Sequence, residues 1–176
     1  MLELLLRRYG ISEEDRDYYL NPDYLKLHSP LLLPDMEIAR DRVLSAIKNE
    51  EHIVVFSDYD ADGIPGAVVL SDFFKRIAYT NVSFYIPHRN DEGFGLNSSA
   101  VNECVRRGAT LIITVDCGTA DREEIKLAKK KGIDVIVTDH HESNVLPEAF
   151  AIVNPKRKDS SYPFPYLCGS AIAFKL

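Results

Sequence analysis

From Met36 onward, apolar positions alternate between two periods. Ile38, Ala39, Val43, Leu44 and Ile47 recur at helical spacing, which predicts a helix over 36–49 with one buried face. Ile53–Phe56 is a short β-branched run and reads as a strand. A helix over Ala67–Ile77 and a strand over Val82–Ile86 follow. Asn97 is a suitable N-cap for a helix carrying Ala100, Val101, Cys104 and Val105, closed by Gly108. Leu111–Val115 is a third strand. Asp121 with Glu124 three residues on resembles a capping box, and its helix runs to Lys129-Lys130-Lys131 before Gly132. Ile133–Val137 and Phe150–Val153 complete five strands, and Cys168–Leu176 opens another helix.

Strands alternating with helices imply right-handed crossovers and a parallel sheet. The strands are continuous apolar runs, as expected where helices cover both faces. The expected fold is α/β: a doubly wound, mainly parallel five-stranded sheet over residues 36–176. Residues 1–35 read as a leader holding a short apolar helix, punctuated by Asn21-Pro22-Asp23, Ser29-Pro30 and Pro34-Asp35. In such folds ligands bind beyond the carboxyl ends of the strands.

Composition narrows the classes. The 176 residues carry 27 acidic and 21 basic side chains, net −6, and 45% are hydrophobic, which argues against disorder and against a protein that coats nucleic acid with a basic face. No apolar run reaches the roughly 18 residues of a membrane span. Glu3 precedes Arg7 and Arg8 in the short apolar start, the wrong order for a signal peptide. Three cysteines suggest a reducing compartment, and a cytoplasmic location is expected. The last residues, Ala171–Leu176, stop within an apolar pattern, so the domain is expected to be incomplete at that end.

Three predicted strands end in acid. The first runs into Ser57-Asp58-Tyr59-Asp60-Ala61-Asp62-Gly63, the third into Asp116-Cys117-Gly118, and the fourth into Asp139-His140-His141. Parallel strands bring five carboxylates and two imidazoles to one edge. Like charges at that density raise one another's pKa and call for compensation, most simply by divalent cations. Carboxylate and imidazole donors suit Mn²⁺, Mg²⁺ or Zn²⁺. Singly, Asp116 reads more readily as a helix cap and the His pair as ordinary loop residues; together at one edge the three clusters point to a site. The first run resembles a calcium loop, but Ile64-Pro65-Gly66-Ala67 then replaces the rest of an EF-hand. Two ions about 4 Å apart can activate water for in-line phosphoryl displacement. Gly63 and Gly118 would let backbone N–H groups approach a phosphate. His88 and Arg89 follow the second strand; Arg89 is either a phosphate clamp or part of a surface turn. Lys156-Arg157-Lys158 reads as a solvated loop, with contact to a DNA backbone as the alternative, and Phe94 is the candidate for base stacking.

Asp58–Gly63, Asp116–Gly118 and Asp139–His141 resemble, in order and spacing, the first three motifs of the DHH phosphoesterase superfamily. Leu20-Asn21-Pro22, Pro87–Leu96 and Cys168–Leu176 are similar to segments of its RecJ-type members. The resemblance implies Asp60, Asp62 and His140 as metal ligands, with Asp116 bridging two ions. It further implies that His141 contacts the scissile phosphate, with Asp139 orienting the histidines and Asp58 behind the ligands. Phe56 stands where the family's pyrophosphatases place a His, Pro65 where RecJ-type members carry Thr or Ser, and Ala171 where Gly is common. The family's fourth motif, its DHHA1 domain and its oligonucleotide-binding domain lie outside these residues, so this segment alone is expected to bind metal weakly or be inactive. The implied activity is two-metal (Mn²⁺ or Mg²⁺) 5′→3′ hydrolysis of single-stranded DNA in repair and recombination. The implied partners are single-stranded DNA and a single-strand-binding protein or helicase, with no membrane. Action on short oligoribonucleotides or cyclic dinucleotides, and a non-catalytic replication scaffold, are the alternatives.

Overall fold

The computed structural model describes residues 1–176. A leader of two short helices, α1 (Leu2–Arg8) and α2 (Arg16–Leu20), and two 3-10 turns precedes α3 (Met36–Lys48). The chain then alternates: β1 (Ile53–Ser57), α4 (Gly63–Arg76), β2 (Val82–Tyr85), α5 (Ser98–Arg106), β3 (Leu111–Val115), α6 (Arg122–Lys130) and β4 (Asp134–Thr138). β5 (Ala151–Val153) and α7 (Gly169–Lys175) close it. No helix is long and apolar enough to cross a membrane.

The five strands form one parallel sheet in the order β2-β1-β3-β4-β5. The period of two divides each strand between two cores. Ile53, Val55, Leu111, Ile113, Val115 and Ile136 face α3, α4 and α7, whereas Val54, Phe56, Ile112, Val135 and Val137 face α5 and α6. Each fully buried aliphatic side chain contributes about 1.5–3 kcal/mol of transfer free energy. That is why the strands read as unbroken apolar runs.

The order reverses between β1 and β3, so the topological switch point lies where their carboxyl ends meet. The register there is flush. Ser57 pairs with Val115, Val115 with Thr138, and Thr138 with Val153. The next residues, Asp58, Asp116, Asp139 and Asn154, therefore form one row just beyond the sheet. The ladder extends into it through Asp58 N–H to Val115 O, Asp116 N–H to Thr138 O and Asp139 N–H to Val153 O.

Local departures from the expected elements have physical causes. Helix α4 starts at Gly63 rather than Ala67, because Pro65 falls in its first turn, where a missing N–H costs nothing. Asn97 caps α5 as expected, accepting the Ala100 N–H at 2.8 Å. Asp121 precedes α6 but makes no side-chain cap, so the expected capping box is absent; its carboxylate accepts the Leu96 N–H at 2.7 Å instead. Arg157 is not a solvated loop residue. Its guanidinium pairs with Asp35 and Asp159 and reaches the Ile152 carbonyl, while Asp35 accepts the Ile152 N–H, which ties the start of α3 to β5.

Candidate metal centre

The β1–α4 loop is built by its own acids. Asp60 Oδ1 accepts the N–H groups of Asp62 at 2.8 Å and Gly63 at 3.0 Å, which starts α4 and holds the Asp60 carboxyl below its ordinary range. Asp58 is buried and accepts the Tyr59 N–H at 2.8 Å. Gly63 must lack a side chain, because a Cβ there would strike the Asp58 backbone, with its carbonyl carbon at 2.7 Å. Its N–H serves Asp60, so this donor belongs to the acidic loop.

Asp116 carries the strain of the site. Its φ is +62°, in the left-handed region, and its side chain is 1% exposed. Its Oδ1 has no hydrogen-bond partner, although His140 Nε2 lies 3.1 Å away. Burial and the nearby Asp60 and Asp62 push its carboxyl up to about 8. Gly169, the first residue of α7, packs directly on it; a Cβ there would lie 2.5 Å from Asp116 Cβ and Cγ.

Asp139 organises the histidines. Its Oδ1 accepts the N–H groups of His140 at 2.7 Å and His141 at 3.1 Å and meets His141 Nδ1 at 2.7 Å, while Oδ2 accepts the Thr119 N–H at 3.0 Å. Burial opposes its ionisation, but these bonds outweigh burial and hold the carboxyl low. In return Asp139 raises His141 to about 9. With Nδ1 so engaged and the side chain 61% exposed, His141 presents Nε2 to solvent. Asn154 completes the row, donating to Thr119 Oγ1 and the His141 carbonyl.

Two donor groups result. Asp116, His140 and His141 place ligand atoms within 4.8 Å of one another, and so do Asp58, Asp60 and Asp116. Asp116 is common to both. Asp62 is also near, with Oδ2 3.8 Å from His140 Nε2. A buried carboxylate oxygen with no donor is costly, and oxygen with imidazole nitrogen is the donor set of Mn²⁺, Mg²⁺ or Zn²⁺. Donors about 2.1 Å from one ion at right angles sit about 3 Å apart, close to the 3.1 Å between His140 and Asp116. The residues present fit divalent cations.

The remaining candidates lie around this edge. Arg89 sits with its guanidinium 5.5 Å from the Tyr59 ring centroid, and the exposed Phe94 ring is 5.3 Å from the same ring. His88 is exposed and pairs with Asp91 at 2.7 Å. Gly118, at φ +111°, is buried against Thr114 and Val137, where it shapes the turn after β3. Cys117 is buried and burial pushes its thiol up, as a packing residue rather than a ligand. Asn154, Thr119 and Gly169 join the site without a motif in the sequence to mark them. Asn154 follows β5 as the acids follow their strands, and that position was its only signal.

The DHH family, N-terminal domain, matches residues 52–176. Over 174 residues the chain is 41% identical to the single-stranded-DNA-specific exonuclease RecJ of Bacillus subtilis, covering 98% of this chain and 22% of that protein. A crystal structure of exonuclease RecJ bound to manganese matches with a TM-score of 0.71 at 30% identity, covering 85% of this chain and 38% of that one. RecJ in complex with Mn²⁺ from Thermus thermophilus matches with a TM-score of 0.72 at 26% identity, covering 97% of this chain and 23% of that one. The chain thus spans less than a third of the length of the curated relatives it matches.

Proposed function

The chain belongs to the DHH family, and from that premise we propose that it forms the N-terminal part of the catalytic domain of a single-stranded-DNA exonuclease using two divalent cations, Mn²⁺ or Mg²⁺. The observation that carries this reading is buried Asp116, with its Oδ1 unpartnered and its carboxylate common to two donor groups at the switch point of the sheet. Asp60, Asp62, Asp116 and His140 would hold the ions, Asp116 being the residue common to the two donor groups. Bound ions supply a water activated near neutral pH and offset charge on the phosphate oxygens.

The chain's own residues do the rest. Asp139 fixes the orientation of the His141 ring through Nδ1, so that Nε2 is free to face an oxygen of the scissile phosphate. Asp58 anchors the turn that presents Asp60. Arg89 and His88 grip the strand's phosphates from the next loop, with Phe94 beside them for a base. Hydrolysis runs 5′→3′, in DNA repair and recombination, in the cytoplasm, with a single-strand-binding protein or helicase as protein partner. Phe56, fully buried and stacked on Tyr85 with ring centroids 5.5 Å apart, is a packing residue, which favours this substrate over the family's small-molecule ones.

The test is degradation of end-labelled single-stranded DNA by the full chain, with Mn²⁺ and with chelator. Loss of label from the 5′ end only with metal supports the reading. Activity that survives Asp116→Ala refutes the mechanism, and cleavage confined to dinucleotides refutes the substrate.

A further inference from the structure

Asp121 breaks a local rule. It stands at the N-cap of α6, where an Asp normally bonds the free N–H groups of the first turn, and it makes no such bond. Its Oδ2 instead accepts the N–H of Leu96, 25 residues back in the chain. Gly95, at φ +73°, lies flat on the same carboxylate; a Cβ there would sit 2.7 Å and 2.8 Å from its two oxygens. Burial, with Glu124, Asp139 and Asp58 nearby, pushes this carboxyl up to about 6 against the pull of the Leu96 N–H. The cap has been given up for a loop.

That loop, residues 86–96, is otherwise held at its far end. Glu92 accepts the His88 N–H at 2.7 Å and the Tyr85 hydroxyl. Arg89 lies inside the turn that Glu92 closes on His88, Phe94 lies between Glu92 and Leu96, and both stand against Tyr59, the residue between Asp58 and Asp60. Past Gly95 the chain enters the core at Leu96, 3% exposed, and then α5. The Asp121 contact therefore fixes where Phe94 stands relative to the acidic edge, beside the Tyr59 ring that Arg89 also faces.

We propose that Asp121 is a positioning residue, which docks the 86–96 loop against the metal edge through the Leu96 N–H and so sets the grip on a DNA strand it does not touch. This rests on the nuclease reading above. The test compares the full chain with its Asp121→Ala, Asp121→Asn and Gly95→Ala variants. Amide exchange of residues 93–96 reports docking, and steady-state Mn²⁺-dependent digestion of single-stranded DNA reports function. Asp121→Ala should speed Leu96 exchange and raise KM about tenfold with kcat nearly unchanged. Asp121→Asn retains an acceptor oxygen and should restore most of both. Gly95→Ala drives a Cβ against the Asp121 carboxylate, pushes the loop off it, and should reproduce the Ala phenotype even if Asp121→Ala fails to fold. Faster exchange with unchanged KM, or a fall in kcat with unchanged KM, overturns the proposal. If a protein carrying this chain together with the family's remaining domains digests no DNA, the nuclease reading fails separately. Leu96 exchange in Asp121→Ala then decides the docking, and unchanged protection overturns it.

Discussion

Gly169→Ala tests the centre without altering any ligand. Gly169 does not have a positive φ, so alanine suits its backbone, and the whole effect is steric. The new Cβ would lie 2.5 Å from Asp116 Cβ and Cγ, where carbon atoms normally stand about 3.5–4.0 Å apart. Something must move by about 1 Å. Helix α7 has little room, because Gly66 of α4 already packs so closely that a Cβ there would meet Ser170 Cα at 3.2 Å. The displacement falls on the Asp116 carboxylate, the one both donor groups share. Overpacking of this kind costs about 1–3 kcal/mol of stability. A bridging donor displaced by about 1 Å should weaken Mn²⁺ binding about 10–100-fold. Calorimetric Mn²⁺ titration beside denaturant melts separates the two effects. Gly108→Ala is the control: Gly108, at φ +74° with nothing within 4 Å, lies at the opposite edge of the sheet. It should lose about 1–2 kcal/mol to backbone strain and bind metal as before. Unchanged Mn²⁺ affinity in Gly169→Ala, or equal loss in both variants, would refute the steric argument.

Three further outcomes follow from the geometry. Mn²⁺ at a hundred times its dissociation constant should add about 2.7 kcal/mol to stability in denaturant melts, and Asp116→Ala should abolish that increment. Without metal, stability should fall as pH rises through the neutral range. Folded Asp116 keeps a proton up to about 8 that the unfolded chain has lost, and His141, raised to about 9, acts in the same sense above its ordinary range. Melts in chelator should therefore show lower stability at pH 8 than at pH 5, with a shallower slope in Asp116→Asn; a rise with pH contradicts the burial of Asp116. Arg157→Ala should destabilise by about 1–3 kcal/mol, by leaving Asp35 without its guanidinium, whereas the exposed Lys158→Ala should stay within about 0.5 kcal/mol.

The strands and the acidic edge were legible because both are dense local signals. Continuous β-branched runs mark strands buried on two faces, and an acid after each of three runs marks one edge once the sheet is taken as parallel. What was not legible depends on register and close approach. Asn154 joins the row only because Thr138 pairs with Val153. Gly169 matters only because α7 folds back onto Asp116, more than fifty residues earlier in the chain. Arg157, inside a basic triplet, has a partner, Asp35, that lies 122 residues away in the chain and leaves no local trace. Gly63-Ile64-Pro65 looked like loop because a proline in a helix's first turn and a proline in a turn leave the same local trace.

The places where local rules fail are themselves concentrated. Asn97 caps its helix in the ordinary way, and the glycines after α5 and α6 take the positive φ expected of helix ends. The turn after β3 behaves differently. Asp116 holds a left-handed φ, buries an oxygen without a partner and keeps a proton it would lose in water, while Asp121 abandons the cap beneath it. Each feature costs stability in the metal-free fold, and none is needed to build a parallel sheet. An acid kept for the fold would destabilise the chain when removed. Asp116 has the opposite sign: Asp116→Asn should stabilise the metal-free chain at neutral pH while removing the charge that holds an ion. That result would assign Asp116, at the topological switch point, to ligand binding rather than to the fold.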